Sequence, residues 1–188
     1  MTTTPEEEVR EGFRPLPSHY DHCFGCGREH PTGLHLRMEG GRASAGARRA
    51  SEGRAERGSA SGARAREQRE VRGRFTVTDH HQGAPMLAHG GVIAAAMDEG
   101  MGYLLWLLQH PAVTGHLEVD YRTPVPVGAT LELHGVLEKV EGRKIHTRMT
   151  GHIDGEVAVE ARAIYIKVGL EHFQPYLEEE RFDNPYNP

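Results

Sequence analysis

One stretch governs what this chain can become. Over residues 90–109 the apolar side chains Val92, Ile93, Ala96, Met97, Leu104, Leu105 and Leu108 make a broad helical face, and Pro111 marks its end. The sequence around it alternates as strands do. Leu34, Leu36 and Met38 fall on one side of residues 33–39, and Phe75 and Val77 on one side of residues 71–78. Beyond the helix come strand patterns over 113–127 (with a TPVP bend), 130–140, 144–153 and 157–168. The last three are divided by the turns Glu141-Gly142-Arg143 and Asp154-Gly155. Two strands, one long helix and four strands predict an α+β layer fold, a single helix against one antiparallel sheet of about five to six strands. One helix cannot cover both faces and both edges of such a sheet, so self-association is expected.

The charge is divided. Of the net −5, residues 40–74 contribute ten arginines against four glutamates, whereas the rest has twelve basic against twenty-three acidic residues. Residues 40–73 are Arg, Ala, Gly, Ser and Glu with Val71 as the one bulky aliphatic, too polar to offset the entropy of ordering. They are read as a solvated insert in a hairpin. The competing reading, a basic arm for nucleic acid, has no aromatic residue for base stacking. The expected organisation is a flexible arm (1–18), a domain (19–168) with its insert (40–73), and a tail (169–188). Residues 101–108, the longest apolar run, fall short of the ~20 that a membrane span takes. The first ten residues are polar and acidic, unlike a secretory leader. A cytoplasmic protein without membrane partners is expected.

The helix start carries chemistry. His89-Gly90-Gly91 opens it, so free N–H groups and the positive end of the helix dipole face outward. Glycine lets a substrate oxygen approach those groups, and no Ser, Thr, Asp or Asn caps them. Asp98 sits farther along the same apolar helix, beside Met97 and one turn from Met101. A carboxylate there is poorly placed for folding unless it works. Glu99 is its rival but points about 100° away around the helix. Asp98 lies eight residues past Gly90, roughly 12 Å along the axis. A reacting carbon must stand roughly 3 Å from both nucleophile and oxyanion donor. If both residues act, the site is shared between two chains.

The motifs HCFGCG (22–27), PTGLHL (31–36), Gln82-Gly83, HGGVIAAAMDEGMG (89–102), YRTPVPVG (121–128) and VEGRK (140–144) together resemble the hotdog-fold thioesterase superfamily, in particular its phenylacetate-pathway branch and related acyl-CoA thioesterases. The resemblance implies one central helix wrapped by an antiparallel sheet, hydrolysis of acyl-CoA thioesters, and assembly as a homodimer or homotetramer with shared sites. It implies Asp98 as general base or nucleophile, the Gly90 N–H as donor to the thioester carbonyl, and His89 near the departing thiol. It further implies Thr114 as a hydroxyl orienting water from the partner chain. Gln82 and Gly91 would help hold substrate, and Arg143 and Lys144 would meet the phosphates of CoA. No cofactor is implied, since a polarised thioester needs only a base and an oxyanion donor.

The chain's two cysteines, Cys23 and Cys26, make no disulfide scaffold. They supply two of zinc's four ligands, and His19, His22, His30 and His35 are near in sequence. The spacing fits no strong zinc signature, so the element is read as a tight Gly-rich turn under the sheet and no metal ligand is assigned. A non-catalytic acyl-CoA-binding protein is the alternative to an enzyme. A hydratase of the same fold would resemble an Asp followed five residues later by His, where this chain has Tyr103.

Overall fold

The computed structural model describes residues 12–42 and 68–176. The strands are β1 (Phe13–Pro15), β2 (Arg37–Arg42), β3 (Arg69–Thr76), β4 (Gln82–Ala84), β5 (Leu87–Ala88), β6 (Ala112–Tyr121), β7 (Thr130–Glu141), β8 (Lys144–Ile153) and β9 (Glu156–Lys167). The one long helix, α1, is Gly90–Leu108. Seven strands form one sheet in the order β1-β2-β3-β7-β8-β9-β6, and β4 with β5 makes a separate two-stranded ribbon. Every neighbouring pair in the large sheet is antiparallel.

The helix lies on one face of this sheet. Its buried residues Ile93, Ala96, Met97, Gly100, Met101 and Leu104 follow helical spacing, and they share one core with Phe75, Leu131, Leu133, Ile145 and Met149. Each large side chain so buried contributes about 1.5–3 kcal/mol. Close approach depends on Gly100, where an added Cβ would stand 2.8 Å from the Met149 sulfur. Gln109 ends the helix in the left-handed region, its N–H returning to the carbonyls of Leu105 and Trp106. By length and composition α1 could cross a membrane, contrary to the estimate from residues 101–108 alone, but its apolar face is spent on the sheet.

The α+β hotdog arrangement is therefore the one expected, with differences at its edges. A seventh strand, β1, lies inside the segment expected to be a flexible arm, its Phe13 facing Gly41. Proline ends it at the sheet's edge, where no ladder hydrogen bond is lost. The pattern at 33–39 begins as a loop: His35 takes a positive φ of 51°, and the N–H groups of Leu34 and Leu36 bond to Phe24 and Gly25. Leu34, Leu36 and Met38 are nonetheless all buried.

The insert expected at 40–73 is narrower. Residues 40–42 and 69–73 are strand, paired out to Arg42 opposite Arg69. Glu70 is buried there, bonded to the His134 ring at 3.0 Å and paired with Arg72. Residues 43–67, with most of the arginines, lie outside the described residues, as do 1–11 and 177–188. Within the expected tail, Leu170–His172 and Gln174–Tyr176 form short 3-10 turns.

Candidate active site

Asp98 is half-buried on the middle of α1, and three elements converge on it. The Tyr165 hydroxyl, from β9, donates to its Oδ1 at 2.9 Å and to its backbone carbonyl at 2.8 Å. The Thr114 hydroxyl, from β6, donates to Oδ1 and Oδ2 at 3.1 and 3.2 Å. Burial raises the Asp98 carboxyl above its ordinary range, Glu99 adds to the rise, and the two hydroxyls hold it back. Tyr165 is itself buried, which keeps its phenol protonated and donating. The result is a carboxylate fixed in orientation and more basic than a surface aspartate, as a general base requires.

The carboxylate opens onto a cleft of about 180 Å³ whose lining includes Glu99, Trp106, Pro111, Thr114, Tyr165 and Phe173. Gly90, His89, Gln82, Arg143 and Lys144 do not line it. One chain thus separates the expected base from the expected oxyanion donor. Thr114 reaches Asp98 within its own chain. Tyr165 was missed by sequence reasoning; the one signal was a hydroxyl-bearing residue between Ile164 and Ile166 in an aliphatic strand.

The helix start is not open in the manner expected. His89 is the N-cap, and its Nδ1 accepts the Gly91 N–H at 2.9 Å. The ring folds back on the helix end and takes a donor that was assigned to substrate. With Nδ1 accepting, a neutral His89 carries its proton on Nε2. Val92 and Ile93 both donate to the His89 carbonyl. Among the described residues, the Gly90 N–H is then the first-turn donor with no acceptor. Its exposed backbone is steadied from the other side by the Tyr121 hydroxyl, which donates to the Gly90 carbonyl at 2.7 Å. The loop before the helix is pinned by the His89 N–H on the carbonyl of buried His81, at 2.7 Å.

The remaining candidates stand apart. The Gln82 side chain accepts the Met86 N–H at 2.9 Å and so closes the β4–β5 turn, beside His89 but engaged with backbone. Arg143 and Lys144 occupy the exposed β7–β8 turn, and Arg143 Nε donates to the Lys167 carbonyl at 3.1 Å. Glu99, the rival base, is occupied elsewhere. Its Oε1 meets His19 Nδ1 at 2.7 Å and its Oε2 lies 3.7 Å from the Cys23 sulfur. His19, Cys23, Cys26 and Glu99 form the one group of metal-capable side chains among the described residues. Burial opposes a charge on His19, but the hydrogen bonds its ring makes to Cys23 and Glu99 raise its pKa to about 9. His22, His30 and His35 are not in the group; His35 bonds the Gly27 carbonyl instead.

Residues 87–165 match the sequence profile of the thioesterase superfamily. The chain is 36% identical over 89 residues to acyl-coenzyme A thioesterase THEM4 of Xenopus laevis, covering 46% of this chain and 40% of that protein. It is 27% identical over 103 residues to acyl-coenzyme A thioesterase THEM5 of Homo sapiens, covering 54% and 42%. The match therefore spans about two-fifths of the length of these curated relatives. A Streptococcus mutans UA159 protein solved bound to acetyl CoA shares the fold, with a TM-score of 0.51, 21% identity, and 53% of this chain and 82% of that chain covered. In its helix-on-sheet architecture and in the profile match running from β5 through α1 to β9, the segment 87–165 is similar to the thioesterase superfamily.

Proposed function

We propose that this protein hydrolyses acyl-CoA thioesters as a homodimer, each site joining Asp98 of one protomer to the Gly90 N–H of its partner. The carrying observation is the half-buried Asp98 carboxylate, gripped by Thr114 and Tyr165 and facing a cleft. Asp98 takes a proton from water as the water oxygen bonds to the thioester carbonyl carbon. The carbonyl electrons move to oxygen, where the partner's Gly90 N–H meets the developing charge. Collapse breaks the C–S bond, and the departing thiolate takes the proton that Asp98 drew from the water, while the Nε2–H of His89 beside that Gly90 donates a hydrogen bond to the sulfur. The products are a carboxylic acid and CoA.

Three features support the shared site. A cleft of about 180 Å³ is small against the roughly 300–1,000 Å³ of a ligand pocket, so half a site is the natural reading. The edge strand β6 pairs only with β9, and its other edge is unpaired among the described residues. Met86 and Tyr121 are exposed apolar side chains near the helix start, at 62% and 52%. The CoA class rests on the relatives named acyl-coenzyme A thioesterases, with Arg143 and Lys144 available to its phosphates.

The test is thiol release from a panel of aryl- and alkyl-CoA esters by wild type and Asp98→Asn. A fall of at least ~100-fold in the variant is expected, the low end for a general base. Equal rates would remove Asp98 from the mechanism. Tight CoA-ester binding with no turnover by wild type would make the chain an acyl-CoA-binding protein.

A further inference from the structure

The residue after Asp98 leads to chemistry that thioester hydrolysis does not use. Four donor atoms lie within 4.8 Å of one another: Nδ1 of His19, the sulfurs of Cys23 and Cys26, and a carboxylate oxygen of Glu99. Cys26 is fully buried, and the other three are half-buried. A tetrahedral zinc ion, with sulfur at ~2.3 Å and nitrogen or oxygen at ~2.0–2.2 Å, sets sulfur–nitrogen and sulfur–oxygen pairs ~3.5 Å apart. Cys26 Sγ to His19 Nδ1 is 3.4 Å, and Cys23 Sγ to Glu99 Oε2 is 3.7 Å. The 2.7 Å contact of His19 with Glu99 needs a small opening, which rotation of the Glu99 carboxylate supplies.

The local chain is built to gather these atoms. The Gly27 N–H donates to the Cys23 carbonyl at 2.8 Å, closing the Cys23–Cys26 turn and bringing both sulfurs to one side. A Cβ at Gly27 would overlap the Asp21 carbonyl oxygen, and one at Gly25 would overlap the Glu99 carboxylate. The turn thus needs glycine at both places, one to close and one to admit Glu99. The Arg37 guanidinium and the His35 ring hold its far side through the carbonyls of Cys26 and Gly27. Two sulfurs, an imidazole and a carboxylate gathered on one side of the turn make a donor set for a divalent cation. Mixed sulfur, imidazole and carboxylate ligation suits zinc among the divalent ions.

We propose that His19, Cys23, Cys26 and Glu99 bind one zinc ion, which fastens the 19–27 segment to α1 at the position next to Asp98. All four ligands come from the protein, so the site is closed and structural, with no open position for substrate. It holds the helix in place beneath the cleft, since His19 and Glu99 both line the cleft that Asp98 faces.

The experiment is elemental analysis of the full chain purified without chelator, followed by metal removal and titration with Zn2+ alone. One zinc per chain is expected. Co2+ in its place should give the strong visible bands of a tetrahedral site and sulfur-to-cobalt charge transfer in the near ultraviolet. Metal removal should lower the melting temperature of wild type, with Zn2+ but not Mg2+ restoring it. Glu99→Gln, which keeps the shape, should weaken Zn2+ binding about 10-fold or more. A folded wild type with substoichiometric zinc and no heat on Zn2+ titration would overturn the site, leaving a His19–Glu99 ion pair beside two free thiols. A cobalt spectrum without sulfur charge transfer would also overturn it. None of these readouts depends on hydrolysis, so the site stands or falls apart from the proposed activity.

Discussion

Subunit mixing tests the shared site most sharply. Asp98→Asn removes the base and leaves the helix start intact. Gly90→Pro removes the N–H and leaves the base. Proline is accommodated at this position because Gly90 is the first residue of α1 and has no intrahelical hydrogen bond to lose. His89, at φ −68° and ψ 130°, already holds the extended conformation that precedes proline. A Cβ at Gly90 would sit 3.5 Å from the Tyr121 hydroxyl, an ordinary contact. Each homodimer should lose at least ~100-fold in turnover, one for want of a base and the other of an oxyanion donor. Eight residues at 1.5 Å set the two groups of one chain roughly 12 Å apart, beyond the ~3 Å reach that each needs. In a mixed dimer one site receives both lesions and the other receives neither. Random assembly of equal amounts makes half the dimers mixed, so the mixture should regain about a quarter of wild-type activity. The assay is thiol release from acyl-CoA after co-expression with two different tags, compared with the separate homodimers. Activity no higher than the mean of the parents would refute the shared site, because a site within one chain cannot be complemented.

Tyr165→Phe should cost about 1.5–3 kcal/mol in urea unfolding, the range for a hydrogen bond to a charged group, and a double-mutant cycle with Asp98→Ala should recover that energy as coupling. Thr114→Val should lower kcat about 10-fold while stability moves by less than ~0.5 kcal/mol, because Thr114 is exposed, and Thr114→Ser should restore kcat. His81 accounts for an acid limb of stability. Burial, and then the nearby His80, lower its pKa in the folded chain, where its Nδ1 accepts the Thr78 N–H at 2.9 Å. The unfolded chain binds the proton first, so this contribution is complete above about pH 6.5 and is lost as the pH falls through the folded value. His81→Gln should flatten that dependence in chemical unfolding between neutral and mildly acidic pH.

What the sequence made legible follows the range of each interaction. The helix was expected at 90–109 and spans Gly90–Leu108. The last three strands fall within a residue of their expected bounds, because two-residue turns at Gly142-Arg143 and Asp154-Gly155 separate them. Asp154 and Gly155 both take positive φ, the hairpin geometry that an Asp-Gly pair signals. β1 escaped notice because three residues ending in proline carry no period. Asp98 stood out as a charge on an apolar helix, but its partners did not. Tyr165 is 67 positions away and meets it only when β9 lies under α1. His19 and Glu99, 80 positions apart, likewise carry no mark in sequence of their 2.7 Å contact. The capping by His89 was hidden by chemistry, since histidine is not among the usual capping side chains.

The β7–β8–β9 meander has a consequence for the order of folding. It is made of contiguous chain, so its contacts close the shortest loops in the molecule and carry the least entropy cost. β6 joins β9 from across that whole meander, and β3 joins β7 from across the helix. A nucleus in the meander, followed by β6 and then by docking of α1, is the route this topology favours. Asp98, Thr114 and Tyr165 ride on three different parts of that route. Their constellation therefore forms late, and in a partial unfolding it is the grip on Asp98 that loosens before the meander does.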